Sequence, residues 1–175
     1  MTIIGGSLSG QTIKSPHNNS THPMSQKIRG ALFNILGDIE GLTILDAFAG
    51  SGALGCEAIS RGAQSALAIE SDKSAQTAIA SNIKTLAITN KLKLVRANID
   101  SWLKATNQNF DLVLADPPYN NTQPKLLDML CLRAKSGGMV VLSLPPMSQY
   151  SPPDGFELQR QKSYGDASLA FWRRS

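Results

Sequence analysis

The ten residues from Asp46 to Gly55 constrain the fold of this chain more than any other stretch. They read Asp-Ala-Phe-Ala-Gly-Ser-Gly-Ala-Leu-Gly and follow a short apolar run, Thr43 to Leu45. A strand that passes through a glycine-rich turn into a helix is typical of doubly wound α/β sheets, in which a ligand approaches bare backbone at the turn. The stretch therefore predicts an α/β domain with a ligand site at this loop.

Strand and helix patterns alternate through the rest of the chain, which favours a mostly parallel sheet covered on both faces. Predicted strands lie at residues 43–47, 65–70, 92–95, 110–115 and 139–143, with an antiparallel closing pair at 156–162 and 167–173. Helices are predicted at 25–36, 53–61, 75–86 and 124–133, with a short one through Trp102 and Leu103. Gly137-Gly138 is expected to stop the 124–133 helix and turn the chain.

The first forty residues follow a different pattern. Thr2 to Lys14 carries three glycines between short apolar stretches and predicts a small hairpin, followed by a polar loop from Ser15 to Thr21. The 25–36 helix places its apolar residues on one face, with Lys27 and Arg29 expected to project elsewhere. We expect an extension at 1–40 and a catalytic domain at 41–175, packed as one compact unit.

Composition limits the class of protein. A chain of 175 residues that is 42% hydrophobic, without an apolar run of the roughly 20 residues needed to span a bilayer, is expected to form one soluble domain. We expect a cytoplasmic protein, because the amino terminus lacks a signal-peptide pattern. The net charge of +4 permits a polyanionic partner without requiring one.

The cysteines and histidines give no sign of a catalytic or metal site. Cys56 and Cys131 are expected to be buried packing residues. His17 and His22 have no partners at metal-ligand spacing, so no metal is expected.

The glycine loop fits two cofactor classes. Gly50 to Gly55 matches the dinucleotide fingerprint, which leaves a nicotinamide dehydrogenase open. Gly50 and Gly52 are expected to clear space for a ligand. A carboxylate at Asp46 would repel a pyrophosphate but suits an amino-acid ammonium, such as that of S-adenosylmethionine. Glu70, at the end of the second strand, could accept ribose hydroxyls of either cofactor.

A second motif, Asp116-Pro117-Pro118-Tyr119, follows the fourth strand. An aryl amine is a poor nucleophile until acceptors hold its hydrogens, and this loop supplies the Asp116 carboxylate and the Pro117 carbonyl. The prolines fix the loop and Tyr119 could stack on an extruded base. We expect Asp116 to be an ionised acceptor rather than a base with a raised pKa. The motif indicates methyl transfer to an exocyclic amine of a nucleobase.

With these motifs the chain resembles the bacterial 16S rRNA guanine-N2 methyltransferases, the RsmD-like family. The resemblance runs nearly end to end, through Ile3-Ile4-Gly5-Gly6, Pro23 to Asn34, Leu45 to Gly55, Glu57 to Ala63, Glu70, Asp116 to Tyr119 and Tyr164-Gly165-Asp166. It implies a Rossmann-like class I fold with a seven-stranded sheet, S-adenosyl-L-methionine as donor, and transfer to the N2 amine of one guanine in 16S rRNA.

The resemblance also implies the site residues. Asp46, Gly50 and Gly52 would hold the methionine end of the cofactor, Glu70 its ribose, and Asn98 with Ile99 its adenine. The implied cofactor contacts are Asp46, Phe48, Gly50, Ser51, Gly52, Glu70, Asn98, Ile99 and Asp116, and the implied catalytic residues are Asp116, Pro117, Pro118 and Tyr119.

The implied partner is 16S rRNA, presented within a 30S subunit or an assembly intermediate, to a monomeric enzyme without membrane contact. The chain departs from the family in the hairpin, where Ser7 to Thr12 lacks the usual basic residues and only Lys14 is nearby. Gln26 also stands where relatives tend to have an acid. These departures concern RNA binding, because phosphate contacts supply much of RNA affinity.

Three alternatives remain open. An N6-adenine DNA methyltransferase shares the Asp-Pro-Pro-Tyr loop but generally needs a further target-recognition region, for which 175 residues leave little room. A nicotinamide dehydrogenase would need a catalytic side chain near the cofactor, and neither histidine lies at a predicted strand end. A non-catalytic nucleic-acid-binding module would not need an acceptor loop beside a donor site.

Overall fold

The sheet and helices match the predicted α/β pattern. The computed structural model describes residues 1–16, 24–119 and 123–175, and within them it contains seven strands and five helices. In chain order these are α1 (Gln26–Leu36), β1 (Thr43–Ala47), α2 (Ala53–Ser60), β2 (Ser65–Glu70), α3 (Lys73–Thr85), β3 (Leu92–Arg96), α4 (Ile99–Ala105), β4 (Phe110–Ala115), α5 (Pro124–Cys131), β5 (Ala134–Leu144), β6 (Phe156–Tyr164) and β7 (Ala167–Arg174).

The strands form one sheet in the order β3-β2-β1-β4-β5-β7-β6. The first five are parallel, and β7 runs antiparallel between β5 and β6. From β1 the chain builds outward to β2 and β3, then returns to add β4 on the other side of β1. The crevice between the carboxyl ends of β1 and β4 is therefore the expected ligand site of such a sheet. The predicted fold class is confirmed.

Both faces of the sheet are covered. One apolar layer packs α1, α2 and α3 against residues such as Ile44 and Leu112, and the other packs α4 and α5 against Leu45 and Val113. Ile44, Leu45, Asp46 and Ala47 are completely buried, which is why β1 reads as an apolar run instead of an alternating one. Asp46 is the one charged residue in this buried run, and its place in the ligand site accounts for it.

The amino-terminal hairpin exists, but as an irregular turn with a single bridge. Thr2 lies opposite Thr12, and the Ile3 N–H donates to the Gln11 carbonyl over 2.9 Å. Ile3 and Ile13 are both 2% exposed, so the turn shares the core of the α1 face. Most of the polar loop predicted at 15–21, with His17 and His22, lies outside the described residues.

A buried ionic cluster holds the hairpin to the domain, and it corrects the expectation for Arg29. Arg29 is 1% exposed and donates to the Thr2 carbonyl over 2.5 Å, with its Nε 3.5 Å from Glu57. The buried Glu57 carboxylate accepts the N–H groups of Ile4 and Gly5 at 2.9 and 2.8 Å. Arg29 therefore faces inward because the hairpin backbone and Glu57 offer acceptors there, which helical periodicity alone does not reveal.

The expectation that Gly137-Gly138 forms a turn before β5 is wrong. Phe110 pairs with Ala134 and Leu112 with Met139, so Lys135 to Gly138 lie opposite Asp111 alone. The strand thus begins before the glycines and carries an irregularity there. A Cβ at Gly138 would lie 2.8 Å from the Lys135 carbonyl oxygen, so only glycine fits this close approach of backbone.

The two cysteines have the packing role predicted for them. Cys56 and Cys131 are buried free thiols, and burial raises the pKa of each to about 12. Neither thiol is a nucleophile at neutral pH. Among the described residues, no helix is long and apolar enough to cross a membrane.

Candidate active site

The predicted site residues meet at the carboxyl edge of the sheet. Ala47 pairs with Ala115, so the segments that follow β1 and β4 leave the sheet side by side. The first segment is the glycine loop and the second is the Asp116 to Tyr119 loop. The two motifs that were recognised separately in the sequence therefore flank one crevice.

Glu70 organises the glycine loop. One of its carboxylate oxygens accepts the Gly50 N–H over 2.7 Å, and the other accepts the N–H groups of Ser71 and Asp72, each at 2.8 Å. The predicted register of Glu70 with the glycine loop is confirmed. The side chain is fixed at the loop from the end of β2, and its contact with a ribose stays a prediction.

The glycine loop has left-handed backbone at three positions. Phe48, Gly50 and Gly52 have φ angles of 62°, 56° and 74°. A Cβ at Gly50 would meet no heavy atom of the described residues within 4 Å, apart from its chain neighbours, whereas one at Gly52 would lie 3.2 Å from Cγ1 of Ile79. Gly50 therefore borders open space, as expected. At Gly52 the requirement for glycine comes from the backbone conformation and from α3.

Asp46 lies beneath this loop. Its Oδ2 accepts the Gly55 N–H over 2.9 Å, while Oδ1 is buried and has no hydrogen-bond partner among the described residues. Burial raises the pKa of Asp46 to about 8, and the nearby charges of Glu70 and Asp116 add to this effect. A buried acceptor without a donor is costly, and an ammonium group would satisfy it.

These features fit an S-adenosylmethionine-type cofactor. Asp46 offers an unused oxygen for an ammonium, Gly50 leaves the loop backbone open, and Glu70 stands at the adjacent strand end.

Among the remaining predicted cofactor residues, Ser51 and Ile99 are buried, whereas Asn98 is exposed. The Ser51 side chain is 4% exposed, and its Oγ lies 3.9 Å from Sδ of Met1. Asn98 caps α4 by accepting the Asp100 N–H over 2.9 Å, and Ile99 is 6% exposed in the core. The side chains of Ser51 and Ile99 are thus used in packing, so a contact of either residue with a cofactor would use its backbone.

The acceptor loop begins with a partly buried carboxylate. Burial raises the pKa of Asp116 to about 6, and a hydrogen bond from the Ser143 side chain opposes this rise. The expectation of an unshifted pKa is therefore wrong, because the strand end lies deeper than the sequence suggests. The group is still mainly ionised above pH 7 and can act as an acceptor.

The rest of the loop becomes exposed after Pro117. Pro117 is buried, Pro118 is exposed, and Tyr119 is 37% exposed with its hydroxyl 2.9 Å from Oγ of Ser143. An exposed ring beside a carboxylate, both at the mouth of the crevice, could stack on a base and hold its amine.

Sequence reasoning missed two polar residues that support the site. Ser143 is 2% exposed at the end of β5 and contacts both Asp116 and Tyr119. Asn82, also 2% exposed, donates to the carbonyls of Lys14 and Ser51 over 3.0 Å each and thereby joins the hairpin to the glycine loop. The sequence signal that could have identified them is a single polar residue among apolar ones, in strand β5 for Ser143 and on the buried face of helix α3 for Asn82.

Comparisons with known proteins agree with this geometry. A family model described as conserved hypothetical protein 95 matches residues 1–173. Ribosomal RNA small subunit methyltransferase D of Buchnera aphidicola subsp. Baizongia pistaciae is 32% identical over 167 residues, which cover 91% of this chain and 85% of that protein.

Solved structures share the fold. The structure of yhhF from Escherichia coli superposes with a TM-score of 0.89 at 28% identity, covering 100% of this chain and 98% of that one. The more distant SMU.776, solved in complex with SAH, has a TM-score of 0.69 at 15% identity and covers 84% of this chain and 48% of its own. The fit of the crevice and the likeness to the Escherichia coli protein support S-adenosyl-L-methionine as the cofactor. The chain belongs to the RsmD-like methyltransferase family.

Proposed function

We propose that this protein transfers a methyl group from S-adenosyl-L-methionine to the exocyclic N2 amine of one guanine in 16S rRNA. The observation that carries the proposal is the Asp116 to Tyr119 loop, which lies beside the glycine loop at the β1/β4 crevice. Family membership and the name of the Buchnera relative support RNA of the small ribosomal subunit as the substrate.

The glycine loop and its neighbours would hold the cofactor, which supplies an electrophilic methyl group when bound. Asp46 would accept hydrogen bonds from the ammonium of its methionine part, and Glu70 would accept them from its ribose hydroxyls. Gly50 and Gly52, which have no side chains, would let the cofactor contact the backbone of the loop. Phe48 and Ser51 flank this contact, and Asn98 with Ile99 would border the adenine.

The acceptor loop would select and orient the base. Guanine presents its N1–H and N2–H donors side by side, and the two oxygens of an ionised carboxylate can accept both. Asp116 would thus hold guanine by its amine edge, with the Pro117 carbonyl as a further acceptor and Tyr119 stacked on the ring. Adenine offers one donor beside an acceptor, so an ionised Asp116 matches guanine better.

The shortage of basic residues in the hairpin suggests that the RNA substrate is presented within a particle that contains protein. Lys14 is exposed, but Ser7 to Thr12 carries no charge. We therefore propose that residues 1–40 face the RNA within a 30S subunit or assembly intermediate, whose proteins supply contacts that the hairpin does not. Residues 41–175 then form the catalytic domain of a monomeric cytoplasmic enzyme.

The modified-nucleoside profile of rRNA tests the proposal. Cells that lack this protein should lose one N2-methylguanosine from 16S rRNA, and the wild-type gene should restore it. The gene with Asp116→Ala should not restore it, whereas Asp154→Ala, which removes an exposed carboxylate far along the chain, should. Removing the acceptor should lower turnover by about 10²-fold or more. Loss of N6-methyladenine from DNA instead would favour the adenine-methylating alternative.

A further inference from the structure

Ser143 occupies an unusual place in β5. The strand from Met139 to Leu144 is apolar except for this residue, and Leu142 pairs with Ala115, so Ser143 stands beside Asp116 as β4 ends. The side chain is buried, at 2% exposure. A buried hydroxyl on an apolar strand segment needs a hydrogen-bond partner, so the hydroxyl of Ser143 is the part that needs an explanation.

The hydroxyl has two polar partners, and their chemistry sets the direction of each bond. Asp116, when ionised, can only accept, so Ser143 donates its single proton to that carboxylate. The Tyr119 hydroxyl, 2.9 Å from Oγ of Ser143, must then donate to Ser143. Burial raises the pKa of Tyr119, with Asp116 and Asp166 contributing, which keeps its proton in place at neutral pH.

We propose that Ser143 is a positioning residue for methyl transfer, which fixes the Asp116 carboxylate and the Tyr119 ring relative to one another through a directed chain from Tyr119 to Ser143 to Asp116. The inference rests on the proposed function, because it assigns a purpose to the orientation of the acceptor loop. Tyr119 follows Asp116 by only three residues, and its hydroxyl lies 2.9 Å from Oγ of Ser143. The pairing of Leu142 with Ala115 brings the same serine beside Asp116, to which it hydrogen-bonds. A base that stacks on the ring would thereby meet the carboxylate in a set orientation.

The ionisable groups around Asp116 show how this hydrogen-bond chain can be tested. The Asp116 charge adds to the rise that burial produces in the pKa of Asp46 on β1, and Asp116 together with Asp166 of the β6–β7 turn does the same for Tyr119. Burial raises the pKa of Asp116 itself, and the hydrogen bond from Ser143 lowers it. Loss of the hydroxyl should therefore move the titration of Asp116 to higher pH.

The experiment compares wild-type protein with Ser143→Ala, Ser143→Thr and the control Ser168→Ala. Ser168 lies on β7, is also 2% exposed, and bonds to Gln161 instead of to the acceptor loop. Carboxyl ¹³C NMR titration of Asp116 in cofactor-free protein reads the hydrogen bond without any substrate. The kcat and its pH profile are then measured on 30S particles that lack the modification.

Ser143→Ala should raise the titration midpoint of Asp116, shift the acid limb of the kcat profile upward by the same amount, and lower kcat about tenfold or more at neutral pH. Ser143→Thr should restore all three, and Ser168→Ala should change none. An unchanged Asp116 titration in Ser143→Ala would overturn the inference whatever the enzyme methylates. A loss of kcat without a shift of the acid limb, or without recovery in Ser143→Thr, would also overturn it by showing a packing role.

If wild-type protein does not methylate the particle, the proposed function fails. The NMR titration still decides whether Ser143 holds Asp116 in that case.

Discussion

Three buried or partly buried carboxylates differ in role because their surroundings differ. Both oxygens of Glu57 accept hydrogen bonds from the hairpin backbone, so Glu57 has a structural role. Asp46 has one oxygen bonded to the loop and one without a partner among the described residues. Asp116 lies at the crevice, where a buried serine holds it. The three carboxylates cannot be told apart by residue type, but they differ in the number of hydrogen-bond donors around each carboxylate oxygen.

Cofactor binding should be linked to the ionisation of Asp46. With a pKa of about 8 the carboxyl is mostly protonated at pH 7, and an ammonium beside Oδ1 favours the ionised form. Binding at pH 7 should therefore release close to one proton, and affinity should rise with pH from 6 toward the free-state pKa. Titration calorimetry in two buffers of different ionisation enthalpy measures this release.

Asp46→Asn provides the control for the proton release, since an amide cannot ionise. Its binding enthalpy should be independent of the buffer. Equal enthalpies in both buffers for the wild-type protein would show that Asp46 does not meet the ammonium.

Among the secondary-structure elements, β2 and α3 hold the glycine loop in its conformation. The N–H of Gly50 bonds to Glu70, the carbonyl of Ser51 to Asn82, and Gly52 packs against Ile79 of α3. These contacts come from two elements, β2 and α3, so the loop is held before any ligand arrives. Such preorganisation lowers the entropic cost of binding.

Gly52→Val should therefore lose cofactor binding through a distorted loop. The left-handed φ of 74° and the nearby Cγ1 of Ile79 both oppose a β-branched side chain, and the strain should destabilise the fold by roughly 1–3 kcal/mol. Denaturant unfolding with and without S-adenosylmethionine measures both effects.

Gly155→Val is the matched control for Gly52→Val. Its φ is 93°, but a Cβ there would meet no heavy atom of the described residues within 4 Å. It should lose stability and keep cofactor binding. If Gly52→Val bound the cofactor normally, the loop would not be the donor site.

At the scale of the whole molecule, the amino-terminal hairpin and the catalytic crevice are mechanically joined. Asn82 bonds to the backbone of both Lys14 and the glycine loop, and Glu57 bonds to Ile4 and Gly5. A surface that contacts RNA through the hairpin would therefore be held in a defined position relative to the cofactor.

The particle should be a better substrate than free RNA. Methyl transfer should be faster on 30S particles that lack the modification than on protein-free 16S rRNA, and both rates should fall as salt rises, because phosphate contacts release counterions. Initial rates at several salt concentrations measure this, with duplex DNA as the competing substrate. Equal rates on free and assembled RNA would argue against a contribution from ribosomal proteins.

The element order, the two loops and the family could all be predicted from the amino-acid sequence. The strand limits of β1, β2 and β4 follow directly from apolar runs, because parallel strands that are covered on both faces have no solvent-facing side to interrupt them with polar residues. Gly50, Glu70 and Asp116 could be assigned to one edge, since the carboxyl ends of parallel strands meet there.

Contacts between polar groups that are distant in the chain could be seen only in the folded protein. Arg29 turns inward, Gly137-Gly138 lies inside β5, and Ser143 reaches Asp116 because partners distant in the chain stand beside them. The pKa of Asp116 likewise depends on burial by neighbouring strands, which local pattern does not encode. Periodicity reports the face on which a residue lies, whereas a hydrogen bond depends on the atom that another element places opposite it.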